Sequence, residues 1–160
     1  MLYELTGTDL AEIFGITETN AIEIISEVGL DMSKWPTVKH FTSWLNLAPN
    51  NKISGGKVLS SRFPKKKKHA GQIFRMAAFA IQRSKNWLAM FYNRIKAKNG
   101  APKAIVATAR KIAAIFYKMI KERVKFNPIP IEKYMDGFKE NQIKKLKRQA
   151  KNLGLQLVEM

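Results

Sequence analysis

Apolar positions recur at helical spacing along most of this 160-residue chain. From Thr8 to Gly29 they outline two short helices around a tight turn. Thr8 is placed to cap the first, with Leu10, Ala11, Ile13 and Phe14 following, and Gly15-Ile16 ends it. Thr17 or Thr19 caps the second, whose inward face is Ala21, Ile24, Ile25 and Val28 and which stops at Gly29. Trp35-Pro36-Thr37 opens a third helix, with Pro36 near its first turn and Val38, Phe41, Trp44 and Leu45 inward. Residues 47–64 are rich in Pro, Asn, Gly, Ser and Lys and predict a loop, with a short extended piece at Lys57-Val58-Leu59.

The longest pattern predicts a single helix over residues 70–97, its buried stripe running through Ile73, Met76, Ala77, Ala80 and Ile81 to Trp87, Leu88, Phe91 and Ile95. Asn99-Gly100-Ala101-Pro102 is a break. Residues 103–124 then form another amphipathic helix, with Ile105, Ala109, Ile112, Ala113, Phe116 and Ile120 inward. Pro128 and Pro130 interrupt the chain before a last helix over residues 140–153, which stops at Gly154 and leaves Leu155 to Val158 as a terminal strand. Ile143, Leu146, Ala150 and Leu153 give that helix an apolar face suited to docking on the domain or on a second chain. No internal repeat is present. The expected fold is mainly α: a compact helical domain with an N-terminal helix-hairpin-helix-like unit, a basic Gly/Ser/Lys loop and long amphipathic helices. The expected organisation is a helical domain over residues 1–126, divided at 50 and 69, followed by a linker and helical tail over 127–160.

Charge changes this picture by giving the helices a polarity. Residues 51–126 hold twenty Lys or Arg and one acid, Glu122, whereas residues 1–50 hold seven acids against Lys34 and Lys39. The segment charges are −5, +19 and, for the tail, +3, within a formal net charge of +17. A block this basic repels itself unless it meets a polyanion. Nucleic acid is the first candidate, because each neutralised phosphate releases counterions. An anionic membrane surface fits less well, since the basic residues follow a loop and core-forming helices rather than one exposed amphipathic stripe. The chain has no Cys and only two His, His40 and His69. Disulfides and thiolate zinc sites are excluded, and no self-contained metal site is expected. No apolar run reaches the ~20 residues of a membrane span, and the N-terminus lacks the plan of a signal peptide, so the cytoplasm is the expected location.

Several spaced stretches together resemble the C-terminal transposase domain of the insertion-sequence-110 type, a family also called bridge-RNA-guided recombinases. They are Phe14-Gly15-Ile16, Ile24 to Gly29, and Phe41-x-x-Trp44-Leu45-Asn46-Leu47-Ala48-Pro49. Ser54-Gly55-Gly56, a basic run and Gly71-Gln72-Ile73-Phe74-Arg75 with Ala77-Ala78 come next. Phe91-Tyr92-x-x-Ile95, Ala107-x-x-Arg110-Lys111-Ile112-Ala113 and Leu146-Lys147-Arg148-Gln149-Ala150-x-x-Leu153-Gly154 complete the set. Ser-Gly-Gly alone has no specificity; order and spacing over nearly the whole chain carry the likeness. In that family this domain follows a RuvC-like domain with acidic metal ligands, for which these residues have no counterpart. The resemblance implies recombination by a serine that joins a DNA phosphate, guided by RNA. It places that serine at Ser54, and it implies Mg²⁺ through the RuvC-like domain or protomer rather than through this chain.

The residues themselves allow that chemistry. A serine hydroxyl is a weak nucleophile and needs a base or a nearby charge. Gly55 and Gly56 remove side chains beside Ser54, which would let a bulky phosphodiester approach the backbone. Lys57 and Arg62 can neutralise charge on phosphoryl oxygens. Lys65, Lys66, Lys67 and Lys68 join the serine segment to a helix whose start holds Gly71 and Arg75, and phosphate contacts there would orient nucleic acid without reading its sequence. Arg83, Lys85, Arg94, Lys96 and Lys98 extend the same basic surface, and Arg110 and Lys111 flank it. His69 reads as a polar contact. The helix-hairpin-helix-like turn lacks a second glycine and sits in acidic surroundings, so it reads as chiefly structural. The alternative to a catalytic serine domain is a non-catalytic nucleic-acid-binding module or a truncated transposase remnant, which needs the basic block and is indifferent to Ser54. A homo-oligomer is compatible with either.

Overall fold

The computed structural model describes residues 2–62 and 68–158. The chain divides into two compact units, Met1–Asn127 and Pro128–Met160. Helices dominate both, and the described residues contain one two-stranded sheet.

The first unit opens with helix α1 (Leu2–Thr6) and a single 3-10 turn at Leu10–Glu12, capped by the Asp9 side chain on the Ala11 amide. Helix α2 (Glu18–Val28) follows, and its start is a reciprocal capping box: Thr17 Oγ1 accepts from the Asn20 amide, and the Asn20 side chain accepts from the Thr17 amide. The first member of the expected helix pair is therefore one 3-10 turn capped by Asp9 rather than a helix capped by Thr8. Thr8 instead turns inward, is fully buried, and donates to the Val124 carbonyl at 2.9 Å.

Helix α3 (Val38–Trp44) starts after Pro36 and Thr37. Strands β1 (Asn50–Ser54) and β2 (Lys57–Arg62) form an antiparallel hairpin; the expected extended piece at Lys57-Val58-Leu59 opens β2, and β1 stands where the composition predicted loop. Helix α4 (His69–Ala80) then runs into a 3-10 turn, Ile81–Arg83, before helix α5 (Trp87–Asn99) begins. The single helix expected over 70–97 is thus broken, because Asn86 turns out of the helix and caps α5 by accepting from the Ala89 amide at 2.9 Å. Ile73, Ala77 and Ile81 of the expected stripe are buried, as are Trp87 and Leu88 beyond the break, whereas Met76 and Ala80 face outward and Phe74 and Ala78 join the core.

Helix α6 (Ala101–Glu122) is the centre of the core. It follows α5 after Gly100 alone and packs against α3, α4 and α5. Ala104, Ala109, Ile112, Ala113, Phe116 and Ile120 are buried at helical spacing, and Phe116 meets Phe74 of α4 edge to face at 5.4 Å. Near its end, the Tyr117 hydroxyl donates to the Trp35 carbonyl at 2.7 Å, and Lys121 donates to the Pro36 carbonyl at 3.1 Å, which holds the chain entering α3.

The α4 backbone comes very close to the end of α3. A Cβ added at Gly71 would sit 2.3 Å from the Leu45 carbonyl oxygen, so only glycine fits the crossing. Beside it, Arg75 Nη2 donates to the Asn46 carbonyl at 2.8 Å, satisfying an acceptor left by the end of α3.

The second unit is helix α7 (Ile131–Asn152), which begins directly after Pro130, so the helix is longer than the pattern suggested. It ends at Leu153 before Gly154, and residues 155–158 are not a strand. No helix among the described residues is long and apolar enough to cross a membrane.

Two glycines separate the energetic consequences. Gly71→Ala is expected to destabilise the Met1–Asn127 unit by about 1–3 kcal/mol, because backbone rather than a movable side chain opposes the new methyl. Gly137→Ala, where a Cβ meets open space within α7, is expected to stabilise that helix by about 0.5–1 kcal/mol. Urea unfolding followed by circular dichroism measures both; a Gly71→Ala chain of unchanged stability would show that α3 and α4 are not held so closely.

Candidate nucleic-acid interface

The serine singled out in the sequence stands at the tip of the hairpin. Ser54 pairs with Lys57 across a two-residue turn, and Gly55 and Gly56 both have positive φ, +55° and +74°. Two consecutive positive φ values at a two-residue hairpin turn are the type I′ requirement, which glycine meets without strain. The two glycines are thus explained by the turn itself. A Cβ on either would touch nothing within 4 Å, so the space beside Ser54 is open whatever residue stands there.

The ladder also decides which basic residues accompany the serine. Lys52 pairs with Ser60 and Ile53 with Val58, so Leu59 is an extra residue on β2. Such a bulge shifts the in–out alternation by one position. Beyond it, Ser60 and Arg62 take the face they would otherwise have left. Ser54, Lys57, Lys52 and Arg62 consequently share one side of the ribbon. Ile53 and Val58 occupy the other side and are exposed, as is Leu59.

Among the described residues, Lys68, Gly71, Arg75 and Arg83 occupy different settings. Lys65, Lys66 and Lys67 lie outside the described residues. Lys68 occupies the N-cap position of α4, with its Nζ 4.3 Å from the centre of the Trp44 ring. Gly71 is buried, which leaves it a packing role and removes it from contact with any polyanion. Arg75 is half-buried, bonds the Asn46 carbonyl and the Gln72 side chain, and is pushed below its ordinary pKa by burial. It too serves the fold first. Arg83 is exposed, but it lies past the far end of α4, ~20 Å from Lys68 at helical rise.

The N-terminus of α4, a natural anion site, is already taken. Glu27 of α2 accepts a hydrogen bond from the Ala70 amide, and Glu23, one turn earlier, lies 3.3 Å from His69 Nε2. The acidic N-terminal segment is thus a partner for the start of the basic one, in keeping with a structural role.

A cleft beside the hairpin brings Phe91 and Ile95, which sequence patterning assigns to the core, together with Arg110 and Lys111, which it places at the flank of the basic surface. It encloses about 650 Å³ and is lined by Phe91 and Ile95 of α5, by Val106, Lys103, Arg110 and Lys111 of α6, and by Ser61 of β2. Phe91 is only half-buried, and the Lys111 and Arg94 cations lie 5.7 and 5.4 Å from its ring centre. Helical spacing marked Phe91 as inward without showing that inward here means facing a cleft. Among the described residues no group of three or more His, Asp or Glu side chains is gathered that could hold a metal ion.

Compared with known proteins, the chain matches the family model described as Transposase IS116/IS110/IS902 family over residues 7–93, more than half its length. The match spans the hairpin, α4 and the first half of α5. No curated protein matches.

Two tests follow from this geometry. Gly55→Asn, which tolerates positive φ, should keep the Ser54–Lys57 pairing, whereas Gly55→Val should disrupt it by about 1 kcal/mol or more. Nuclear Overhauser contacts across that pair report the difference, and equal behaviour of the two variants would refute the turn assignment. Glu27→Ala should destabilise the unit by about 0.5–2 kcal/mol through loss of a helix-end partner. Glu23→Ala, which breaks an exposed pair with His69, should cost about 0–1 kcal/mol. Thermal melting that ranked the two in the opposite order would overturn this reading of the α2–α4 contact.

Proposed function

The chain belongs to the IS116/IS110/IS902 transposase family, whose work is DNA transposition, and from that premise we propose that Ser54 is the nucleophile of a strand-transfer reaction. The observation that carries the proposal is the exposure of Ser54 at a hairpin tip with Lys52, Lys57 and Arg62 on the same side of the ribbon. A hydroxyl on such a projection can reach a phosphate on a duplex or a displaced strand without burying the rest of the domain.

In the step we infer, Ser54 Oγ forms a bond to phosphorus as its proton passes to a base. The bond from phosphorus to one sugar oxygen breaks, and that oxygen takes up a proton. The product is a phosphoserine ester that conserves the energy of the phosphodiester. A second sugar hydroxyl reverses the step and frees the serine. Lys57 and Arg62 would stabilise the extra negative charge on the phosphoryl oxygens during attack. The proton acceptor would come from a RuvC-like domain or protomer, which would also hold any Mg²⁺, with guide RNA choosing the DNA. These partners rest on the family resemblance.

A second reading has its own support. The two glycines are accounted for by a type I′ turn, which makes no demand on Ser54, so a binding module that never uses Ser54 as a nucleophile would carry the same hairpin.

A denaturing gel distinguishes them. The chain is combined with a RuvC-like domain of the family, guide RNA, Mg²⁺ and labelled DNA, with Ser54→Ala in parallel. The expected result is a covalent protein–DNA adduct that is absent from Ser54→Ala, while the variant's DNA affinity stays within about two-fold. An adduct that survives in Ser54→Ala removes the serine assignment. In the same preparation, Lys57→Gln combined with Arg62→Gln should reduce the slope of log affinity against log salt by about 2 on duplex DNA, since each lost phosphate contact removes about 0.9. An unchanged slope would show that this face does not meet phosphate.

A further inference from the structure

The cleft between the foot of the hairpin and helices α5 and α6 has a composition that the serine chemistry does not use. Its volume of about 650 Å³ lies within the range of small-molecule sites. Phe91, Ile95 and Val106 give it an apolar lining, and Lys103, Arg110 and Lys111 bring three cations with no acid among the lining residues. A bare inorganic anion would gain nothing from the apolar surfaces. A purely apolar ligand would gain nothing from the cations. A nucleotide uses both, a base against the aromatic and aliphatic walls and phosphates at the rim.

Two further observations give the occupant a direction. Lys111 Nζ lies 5.7 Å from the Phe91 ring centre, near the outer limit of a cation–ring attraction. That contact is weak enough for the ammonium to move to a phosphate while a base takes its place on the ring. Ser61 also lines the cleft and pairs with Asn51, and Ser54 lies three residues farther along the same strand. At strand rise that separation is ~10 Å, the length of about three nucleotides at duplex spacing. Asn51 and Ser61 lie on the side of the ribbon opposite Ser54, so a strand that enters the cleft passes around the ribbon's edge to reach the tip.

We propose that this cleft receives an unpaired base of the DNA strand that Ser54 attacks, stacked on Phe91, with neighbouring phosphates held by Lys103, Arg110 and Lys111. The proposal rests on the strand-transfer reading above for the identity of the strand. The binding it predicts does not require Ser54 to react. Holding a base out of the duplex would fix the register of the strand on the protein, so that one phosphate is presented to the hairpin tip. Because stacking tolerates any base, the cleft would position the strand and leave sequence choice elsewhere.

The test uses the full chain with short DNA carrying 2-aminopurine as a single unpaired nucleotide, the same sequence fully paired, and an RNA strand with the same unpaired base. Phe91→Ala and Phe91→Leu are compared with the wild type after each is shown by thermal melting to fold. Phe91→Leu keeps an apolar side chain and loses the aromatic face. The expected results are quenching of the probe on binding, and about 5- to 100-fold weaker binding of the unpaired DNA by Phe91→Ala. Phe91→Leu should lose most of the quenching, fully paired DNA should change by less than about two-fold, and Ser54→Ala should bind as the wild type does. Equal losses on paired and unpaired DNA, unaltered quenching in Phe91→Leu, or binding confined to RNA would each overturn the proposal. If Ser54→Ala retains adduct formation while Phe91 still governs unpaired DNA, the catalytic reading falls and the cleft stands.

Discussion

The placement of the hairpin depends on one close contact, the approach of the α4 backbone at Gly71 to the Leu45 carbonyl. Because no side chain intervenes, the α4 backbone can come this close to the end of α3. The Arg75 guanidinium can then reach the Asn46 carbonyl, and Asn46 itself takes a left-handed φ of +58° that turns the chain out of the helix. Leu47 is buried immediately afterwards, and β1 begins at Asn50. The direction in which Ser54 leaves the domain is thus set by a helix crossing roughly twenty residues away in sequence. The hairpin has little burial of its own, and a two-stranded ribbon is marginal in isolation. Its foot must therefore be held by the body of the domain.

Electrostatics follow from the same packing. The acidic residues of α2 lie where α4 begins, so Glu27 answers the helix dipole and an unpaired amide together. This arrangement uses part of the negative charge of residues 1–50 to hold the start of a strongly basic segment. Among the described residues, the ribbon carries Lys52, Lys57 and Arg62 on one side, and the α5–α6 cleft has three cations and no acid in its lining. Charge segregation along the sequence therefore has two meanings in the fold: contact at α4, and exposure toward a polyanion on the ribbon and the cleft.

Several features could be read directly because they obey local rules. The 3.6-residue period located α2, α3 and α6, and Thr17, Gly29 and Gly100 bounded helices as their capping chemistry requires. Composition misled where a local signal was outvoted by a longer one. The polar stretch from residue 47 onward hid a hairpin, although Gly55-Gly56 between alternating residues is a hairpin signal. The apolar stripe through residues 70–97 concealed the Asn86 cap, because a cap is one residue and the stripe is many. Basic residues were grouped by proximity in sequence. Helix rise separated Arg83 from Lys68, burial withdrew Gly71, and bonds to Gln72 and the Asn46 carbonyl engage the half-buried Arg75.

What the sequence determined by itself was the mainly helical class, the likeness to the transposase family and the sharp division of charge. Each depends on residue identity and short-range spacing alone. Tertiary structure decided which residues act together. A one-residue bulge aligned Arg62 with Ser54, a glycine crossing aimed the hairpin, and the packing of α5 against α6 turned Phe91 and three cations toward a shared cleft. These outcomes rest on contacts between segments far apart in the chain, whose geometry is fixed only when the core closes and therefore leaves no periodic trace in the sequence.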